Sequence, residues 1–390
     1  MKVAFPILQD MAFMDPELSR KDAFVISALE NRGLEVNLIH PAFPLSGYVY
    51  KSRSFFTNKI LAKLYKDVRT LWDREPALLE KVGVDLSKQI DSSYDIILSP
   101  STLPAAYLEC DQPVVIWVDA TFAGMVDFYG YFSNLSAASI RKGNKVESRA
   151  LEGCEAAVFS SDWAAETALR NYDLDPERLH VIPFGPNLHV DTLPQLEDIE
   201  KYIKRKVEPP YQLLYLGMDW ERKGGQKAVQ VVERLNQLGY EAELVIVGDS
   251  PYPDQNAPGF IKSYGIIDID NHEGRGQLHE VLSETSFLLL PVLADCAPRA
   301  LNEAGAYGVP CVTSKVGGIS TIINQGVNGF LFDVHQGVED FCDTITIYLD
   351  DPYRYKELAL SSFAEYQSRL SWKVSTEKMI ALMEGLISSG

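Results

Sequence analysis

Short, uninterrupted apolar segments alternate with helical patterns along almost the whole chain. In the first half these segments are KVAFPI (2–7), the stretch 35–39, YDIIL (94–98), PVVIWV (113–118) and EAAVF (155–159). Helical patterns separate several of them, notably at residues 17–31 and from residue 136 onward. Strands that are apolar throughout are typical of a parallel sheet covered by helices on both faces. The first half therefore predicts a doubly wound α/β domain.

A second series of the same alternation begins near residue 211. Its predicted strands are 212–217, 242–248, 287–292, 310–314 and 329–332, and its predicted helices are 226–238, 273–284, one from about residue 298, and 340–349. The segment 191–210 between the two series is rich in charges and prolines and has little apolar periodicity, which favours a linker. A chain of 390 residues has the length of two domains. We therefore expect two doubly wound domains, each with a parallel sheet.

The charge balance limits what the chain binds. It has 36 Lys and Arg against 54 Asp and Glu, and the resulting formal charge of −18 repels nucleic-acid phosphates. The longest apolar run, residues 287–294, is far shorter than the roughly 18 residues of a membrane-spanning helix. The apolar stretch after Met1 is too short for a secretory signal, and an acidic residue follows it at position 10. We expect a cytoplasmic protein that does not bind nucleic acid.

The cysteines and histidines do not indicate a metal site. The five Cys are widely scattered, and neither they nor the His residues have metal-ligand spacing. Reduced, structural thiols are the expected state, and no bound metal ion is expected.

Charged residues follow several predicted strands directly. Asp119 follows PVVIWV, the stretch 219–223 follows QLLYLG, Asp249 follows residues 242–248, and Asp295 follows FLLLPV. In open α/β sheets, ligands bind beyond the carboxyl ends of the strands. The binding chemistry of this chain is therefore expected in these loops.

The loop LGMDWERKGG (216–225) joins a predicted buried strand to a helix. It places Arg222 and Lys223 beside two glycines. Glycines let a backbone approach an anion closely, and adjacent cations supply charge-assisted hydrogen bonds. The loop therefore favours phosphate binding, although a tight turn with solvated charges is an equally good interpretation of these residues alone.

The loop 294–310 carries two carboxylates eight residues apart, Asp295 and Glu303. Pro298 is suited to the first turn of a helix. Amides near Ala297, Arg299 and Ala300, together with the Arg299 cation, would then favour a diphosphate. Asp295 is a candidate for sugar hydroxyls, and Glu303 for both hydroxyls of a ribose, because a carboxylate has two acceptor oxygens. The alternatives are a helix N-cap for Asp295 and an exposed helix position for Glu303.

Residues 51–72 form a basic segment in an acidic chain. The segment contains six Lys or Arg and a single Asp, and its apolar residues recur at helical spacing. This pattern is typical of a helix that lies on an anionic membrane surface, as a lipid-linked acceptor would require. The alternative is an ordinary helix that packs its apolar face on the first domain.

These loops, taken together, resemble those of the retaining glycosyltransferases of family 4. The resemblance lies in the Arg-Lys-Gly-Gly loop, in the acid-x7-Glu spacing followed by EAGAYGVPCVTSKVGG (303–318), in VIPFGPN (181–187), and in the LSW start of a terminal helix at 370–372. It covers essentially the whole chain and is most specific in residues 212–332.

The resemblance implies the GT-B fold, in which two Rossmann-like domains face each other across a cleft. The implied parts are an acceptor-binding domain at 1–190, a linker at 191–210, a donor-binding domain at 211–365 and a helix at 366–390 that crosses back to the first domain. The implied reaction is metal-independent, retaining transfer of a hexosyl group from a nucleotide diphosphate sugar to a hydroxyl acceptor. The nucleotide sugar is a substrate, and no separate cofactor is implied.

The resemblance also assigns residue roles. Asp119, Asp295, Arg222 and Lys223 are the implied catalytic residues, and the implied donor-binding residues are Gly217, Arg222, Lys223, Asp249, Ala297, Arg299, Ala300, Leu301 and Glu303. In the first loop, 8–21, Arg20 and Lys21 stand where the family has a glycine-bearing phosphate loop. For Asp119 the alternative is a cap of the following turn.

Two departures from the family keep another class of protein open. Asp295 replaces a family glutamate, and CAPRA (296–300) replaces a Phe-Gly pair. A non-catalytic, degenerate partner or a sugar-nucleotide-binding protein is therefore the alternative to an enzyme. The sequence identifies neither the base, the sugar nor the acceptor.

Overall fold

We describe the protein from a computed structural model. The structure describes residues 1–8, 19–41, 59, 68–252 and 257–389. Most of the basic segment 51–72 and much of the first loop 8–21 lie outside the described residues.

Six parallel strands form the first sheet. They are β1 (Lys2–Pro6), β2 (Glu35–Ile39), β3 (Ile96–Ser99), β4 (Val114–Val118), β5 (Ala156–Phe159) and β6 (Leu179–Val181), in the spatial order β2-β1-β3-β4-β5-β6. Every residue of β3, β4 and β5 is buried. The apolar composition of these strands thus follows from their position between two layers of helices.

The helices around this sheet begin at side-chain caps in most cases. They are α1 (Arg20–Glu30), α2 (Pro76–Ser87), α3 (Thr102–Ala105), α4 (Phe122–Met125), α5 (Ala137–Gly153) and α6 (Asp162–Asn171). Ser136 and Ser161, for example, each accept a hydrogen bond from the backbone three residues later.

The second sheet is also parallel and has six strands. They are β7 (Tyr211–Gly217), β8 (Ala242–Gly248), β9 (Ile261–Gly265), β10 (Phe287–Leu290), β11 (Cys311–Ser314) and β12 (Gly329–Phe332), in the order β12-β11-β10-β7-β8-β9. Its helices are α7 (Leu196–Lys206), α8 (Gly225–Gln237), α9 (His272–Glu284), α10 (Ala300–Ala306), α11 (Ile319–Ile322), α12 (Val338–Leu349) and α13 (Pro352–Glu365). The predicted α/β architecture of two doubly wound parallel sheets is confirmed.

The chain divides into two compact units. Unit 1 comprises Met1–Ile182 and Ser375–Gly390, and unit 2 comprises Pro183–Val374. The division falls earlier than the expected boundary at residue 190, so residues 183–190 belong to unit 2. The last helix, α14 (Trp372–Ser389), begins in unit 2 and continues in unit 1.

The predicted linker 191–210 is wrong for most of its length, because it contains α7. Ile199 and Ile203 lie one turn apart and are buried, while the charged residues occupy the rest of the helix surface. The third buried residue is Lys206, whose Nζ donates to the carbonyl oxygen of Tyr307 at 2.8 Å. Burial lowers the pKa of Lys206 to about 7. Because Lys206 is charged, its position on the buried face interrupts the apolar periodicity by which a helix is predicted.

The described end of the basic segment differs from the interfacial helix that the sequence suggests. Residues 68–72 are not helical, and both Leu71 and Trp72 are buried. The Leu71 N–H donates to Ser139 Oγ at 3.0 Å. These residues therefore pack against α5. Separately, no helix in the described part of the chain is long and apolar enough to span a membrane.

Candidate functional site

The loop between β7 and α8 makes a tight turn that depends on glycine. Gly224 has a φ of +73°, and a Cβ atom there would lie 2.0 Å from the carbonyl oxygen of Pro291. At the end of β7, a Cβ on Gly217 would lie 2.5 Å from Lys223 Cδ. The two glycines thus let this loop pack against the loop that follows β10, and they let the Lys223 side chain lie along the end of β7.

Arg222 and Lys223 converge on Asp295. Arg222 Nη1 lies 3.2 Å and Lys223 Nζ 3.5 Å from the same oxygen, Asp295 Oδ2. Arg222 also donates from Nη1 to the carbonyl oxygen of Ala294 at 2.7 Å and from Nε to Asp219 Oδ2 at 2.8 Å. The structure therefore brings two adjacent cations to a carboxylate that lies more than 70 positions further along the sequence. Two cations and two carboxylates meet there.

Asp295 is not the N-cap of a helix. The helix α10 begins at Ala300, two residues later than the Pro298 start that the sequence favours, and its N-cap is Arg299. Asp295 instead lies in the preceding loop, where it is 8% exposed, accepts a hydrogen bond from Arg222 and forms an ion pair with Lys223. The N-cap alternative for Asp295 is wrong because its carboxylate is bound to side chains of another loop.

Glu303 lies inside α10 and is buried, so its alternative as an exposed helix residue is also wrong. Its Oε1 accepts from the backbone N–H of Asn187 at 3.1 Å. Burial raises the pKa of Glu303, and the charges of Arg299 and Lys223 together with the hydrogen bond from the Asn187 backbone oppose that shift. Glu303 is thus a buried carboxylate with cations close to it.

The other predicted residues near α10 have different surroundings. Ala300 and Leu301 are buried, and the Leu301 N–H donates to the carbonyl oxygen of Pro298 at 3.1 Å, so this amide is already engaged. Ala297 and Arg299 are partly exposed. The buried Nε of Arg299 has no hydrogen-bond partner among the described residues.

Gly217 and Asp249 lie side by side at the carboxyl ends of β7 and β8. The Asp249 N–H donates to the carbonyl oxygen of Gly217 at 3.1 Å, and the Asp249 side chain is exposed. The predicted residues of unit 2 therefore share one edge of the second sheet.

The predicted residues of unit 1 also lie at one sheet edge. Asp119 follows β4 and is partly buried. It does not cap the next helix, since Thr121 Oγ1 accepts the Gly124 N–H at 3.1 Å. Lys21 Nζ donates at 3.2 Å to the carbonyl oxygen of Pro100, which follows β3, the neighbour of β4. Arg20, the first residue of α1, is exposed.

Sequence reasoning missed Asn187 and Asn302. Asn187 contacts Glu303, and Asn302 Nδ2 donates to the carbonyl oxygen of Phe184 at 2.7 Å. In the sequence, the segment VIPFGPN (181–187) contributes only to the family resemblance. No local pattern marks a contact between residues 116 positions apart, so the sequence carried no usable signal.

The arrangement in unit 2 suits a doubly anionic ligand that carries hydroxyl groups. Arg222, Lys223 and Arg299 supply cations, and Glu303 and Asp295 supply acceptors for hydroxyls. Within the described ranges, no group of three or more His, Cys, Asp or Glu side chains is arranged to hold a metal ion.

Comparisons with known proteins point to one class. Residues 197–365 match the family model of the glycosyl transferases group 1. The D-inositol 3-phosphate glycosyltransferase of Paenarthrobacter aurescens is 26% identical over 217 residues, which are 54% of this chain and 53% of that protein. The chain spans about half the length of the curated relatives it matches.

Two solved structures have the same fold over nearly their full length. Sucrose-phosphate synthase from Thermosynechococcus elongatus has a TM-score of 0.67 at 16% identity and covers 100% of both chains. HepE from Anabaena, in complex with UDP and glucose, has a TM-score of 0.63 at 14% identity, covering 98% of this chain and 99% of that one. The solved structures show a two-domain, Rossmann-like α/β fold, and residues 197–365 are similar to the glycosyl transferases group 1.

Proposed function

We propose that this protein is a retaining glycosyltransferase of family 4 that moves a hexosyl group from a nucleotide diphosphate sugar to a hydroxyl acceptor. The observation that carries the proposal is the convergence of Arg222 and Lys223 on Asp295, with the buried carboxylate of Glu303 in the next helix. Unit 2 binds the donor in this proposal, and unit 1 binds the acceptor.

The leaving group determines the roles of the cations. When the sugar–phosphate bond breaks, negative charge develops on the departing nucleoside diphosphate, and fixed positive charges stabilise it. We assign this stabilisation to Arg222 and Lys223, with Arg299 as a third cation of unit 2. With three cations available in unit 2, the proposed transfer is metal-independent.

The carboxylates recognise hydroxyl groups. Glu303 accepts from the two ribose hydroxyls of the donor, and Asp295 accepts from hydroxyls of the transferred sugar. Asp249, at the end of the neighbouring strand, is assigned to the nucleoside. Asp119 is proposed to contact the transferred sugar from unit 1, and Arg20 and Lys21 to contact the donor phosphates.

The proposed place of action is the cytoplasm. A lipid-linked acceptor would bring the basic segment 51–72 to an anionic membrane surface. Curated relatives of this chain include a galactosyltransferase whose acceptor is a diphosphoundecaprenol-linked sugar, which supports such an acceptor class.

Thermal unfolding with nucleoside diphosphates tests the proposed donor site. A ligand at about 100 times its Kd adds about 2.7 kcal/mol to the free energy of unfolding. We expect one of UDP, GDP, ADP and dTDP to raise the Tm selectively, and UDP is included because HepE was solved with it. An unchanged Tm with all four would favour the non-catalytic partner over the enzyme.

Replacing Asp295 by Asn should separate binding of the diphosphate from transfer of the sugar. The change removes a negative charge that now neutralises Arg222 and Lys223, so the Kd for the nucleoside diphosphate should fall about tenfold. The transfer rate should fall, because the sugar hydroxyls lose a charged acceptor. Isothermal titration calorimetry and single-turnover transfer measure the two effects.

Asp219→Asn is the matched control for this change. Asp219 also bonds to Arg222, but its side chain is 53% exposed, where water and salt screen its charge. The Kd should therefore change little in this variant. Diphosphate binding that is unchanged or weaker in Asp295→Asn would contradict the role of the two cations as phosphate ligands.

A further inference from the structure

A short segment of unit 2, residues 183–187, is held in place by two side chains from distant parts of the sequence. Asn302 Nδ2 donates to the carbonyl oxygen of Phe184 at 2.7 Å, and Trp372 Nε1 donates to the carbonyl oxygen of Pro186 at 2.7 Å. The indole ring of Trp372 also covers Gly185, where a Cβ atom would lie 2.5 Å from the ring. The positions of three successive residues are thereby fixed.

The last residue of this segment bonds to Glu303. The Asn187 N–H donates to Glu303 Oε1 at 3.1 Å, and the Asn187 side chain also favours the ionised form of that carboxyl group, which lowers its pKa. A buried carboxylate stays ionised only when donors or cations compensate for its lost hydration. Asn187 supplies one such donor through its backbone N–H, and its buried Oδ1 accepts no hydrogen bond from the described residues.

The cations near Glu303 cannot replace this contact. Arg299 and Lys223 are the charged groups that act on Glu303, and both favour its ionised form. Lys223, however, also lies 3.5 Å from Asp295 and is assigned to the donor phosphates. Cations also act over several ångströms and fix no single orientation of the carboxylate, whereas a directional hydrogen bond from a backbone N–H that is itself held in place does. The orientation of the Glu303 carboxylate therefore depends on Asn187.

We propose that Asn187 is a positioning residue for Glu303, and that Asn302 and Trp372 hold Asn187 at the carboxylate. The inference rests on the proposed function, in which Glu303 accepts the ribose hydroxyls of the donor. Asn187 then sets the direction of the Glu303 oxygens, so that the carboxylate can accept both hydroxyls.

The test measures the protonation of Glu303 directly. Asn187→Ala removes the side-chain amide that favours ionised Glu303 and keeps the backbone N–H, whereas Asn187→Asp is isosteric and places a second carboxyl group beside Glu303. In both variants the pKa of Glu303 should rise above the wild-type value. Carbon-13 NMR of protein labelled at the Glu carboxyl carbons measures it, with Glu303→Gln used to assign the signal.

Ligand binding is the second readout. The nucleoside diphosphate that binds best among UDP, GDP, ADP and dTDP serves as the probe, and its Kd is measured by calorimetry from pH 5 to 8. At neutral pH, Asn187→Ala should raise the Kd severalfold, because Glu303 loses a side-chain amide that favours its ionised form. Binding should also weaken on acidification at a higher pH than in the wild type.

Asn328→Ala is the matched control. Asn328 is a buried asparagine of unit 2 that donates to the carbonyl oxygen of Ile322 at 3.0 Å and accepts from the Asn324 N–H at 2.7 Å. Its loss should lower the stability of the fold and leave the pKa of Glu303 unchanged. Trp372→Phe keeps the ring over Gly185, removes one hydrogen bond, and should move both readouts in the direction of Asn187→Ala.

The outcomes distinguish a failure of the positioning role of Asn187 from a failure of the proposed function. An unchanged pKa of Glu303 in folded Asn187→Ala and Asn187→Asp would overturn the positioning role and leave the proposed function standing. If the wild type binds none of the four diphosphates, or if the pKa rises and the Kd does not change, the ligand role of Glu303 fails. In that case the proposed function is overturned, and the inference that rests on it is overturned too.

Discussion

Replacing Lys223 by Ala should lower kcat for sugar transfer by about a hundredfold or more, the scale at which removal of one preorganised group that stabilises developing charge acts. The Lys223 ammonium lies between the end of β7 and Asp295, and its side chain is only 13% exposed. Water therefore screens its charge only weakly. Losing this charge raises the free energy of the transition state in which the diphosphate leaves. Steady-state kinetics with the donor that the nucleotide test identifies measure the effect.

Lys227→Ala is the matched control for this prediction. Lys227 lies four residues after Lys223, in the first turn of α8, and its Nζ donates to the carbonyl oxygens of Val334 and Gln336 at 3.0 and 2.9 Å. Its removal also costs partly buried hydrogen bonds, but kcat should stay close to the wild-type value. A transfer rate within twofold of wild type in folded Lys223→Ala would show that the cation has another role.

The strands were predictable because their burial leaves a direct trace in composition. Each strand of β3, β4 and β10 is buried along its whole length, and its segment of the sequence is almost entirely apolar. The edge strand β9 was missed because it is only partly buried and its composition therefore lacks this trace. Lys262 and Tyr264 alternate with less exposed residues there, so the segment lacks the apolar run of a central strand.

The helix α7 shows the limit of reading hydrophobic periodicity. Its buried face consists of Ile199, Ile203 and Lys206, and the lysine compensates for its burial by bonding to the carbonyl oxygen of Tyr307. That carbonyl is 101 positions away along the chain. A pattern search counts Lys206 as a surface residue, because only the tertiary structure supplies its partner.

The same distinction applies to the candidate site. The loops that carry Arg222 and Asp295 follow β7 and β10, which are neighbours in the sheet with Phe287 opposite Leu213. Parallel strands place their carboxyl ends at one edge, so the meeting of these loops follows from the strand pattern. The contact of Asn187 with Glu303 depends on the hydrogen bonds that hold residues 183–187 in place, and the strand pattern does not specify these bonds.

Replacing Glu303 by Gln should raise the Kd for the nucleoside diphosphate, and KM for the donor, by about tenfold to a hundredfold. The amide has the same shape and can still accept from the Asn187 N–H, but it has no charge and has one acceptor oxygen fewer for the ribose hydroxyls. Because burial raises the pKa of Glu303, wild-type binding should weaken as the pH falls through that pKa. In the Gln variant this pH dependence should be absent.

The stability of this variant distinguishes a ligand role from a structural one. A carboxyl group whose pKa is higher in the folded than in the unfolded state lowers the free energy of unfolding as the pH rises between the two values. Glu303→Gln removes that loss, so its Tm at pH 7 should equal or exceed that of the wild type while donor binding is weakened. Glu339→Gln, which removes a surface ion pair with Arg234, should change neither quantity appreciably. A large drop in Tm together with unchanged donor binding would mean that Glu303 stabilises the fold and does not hold the ribose.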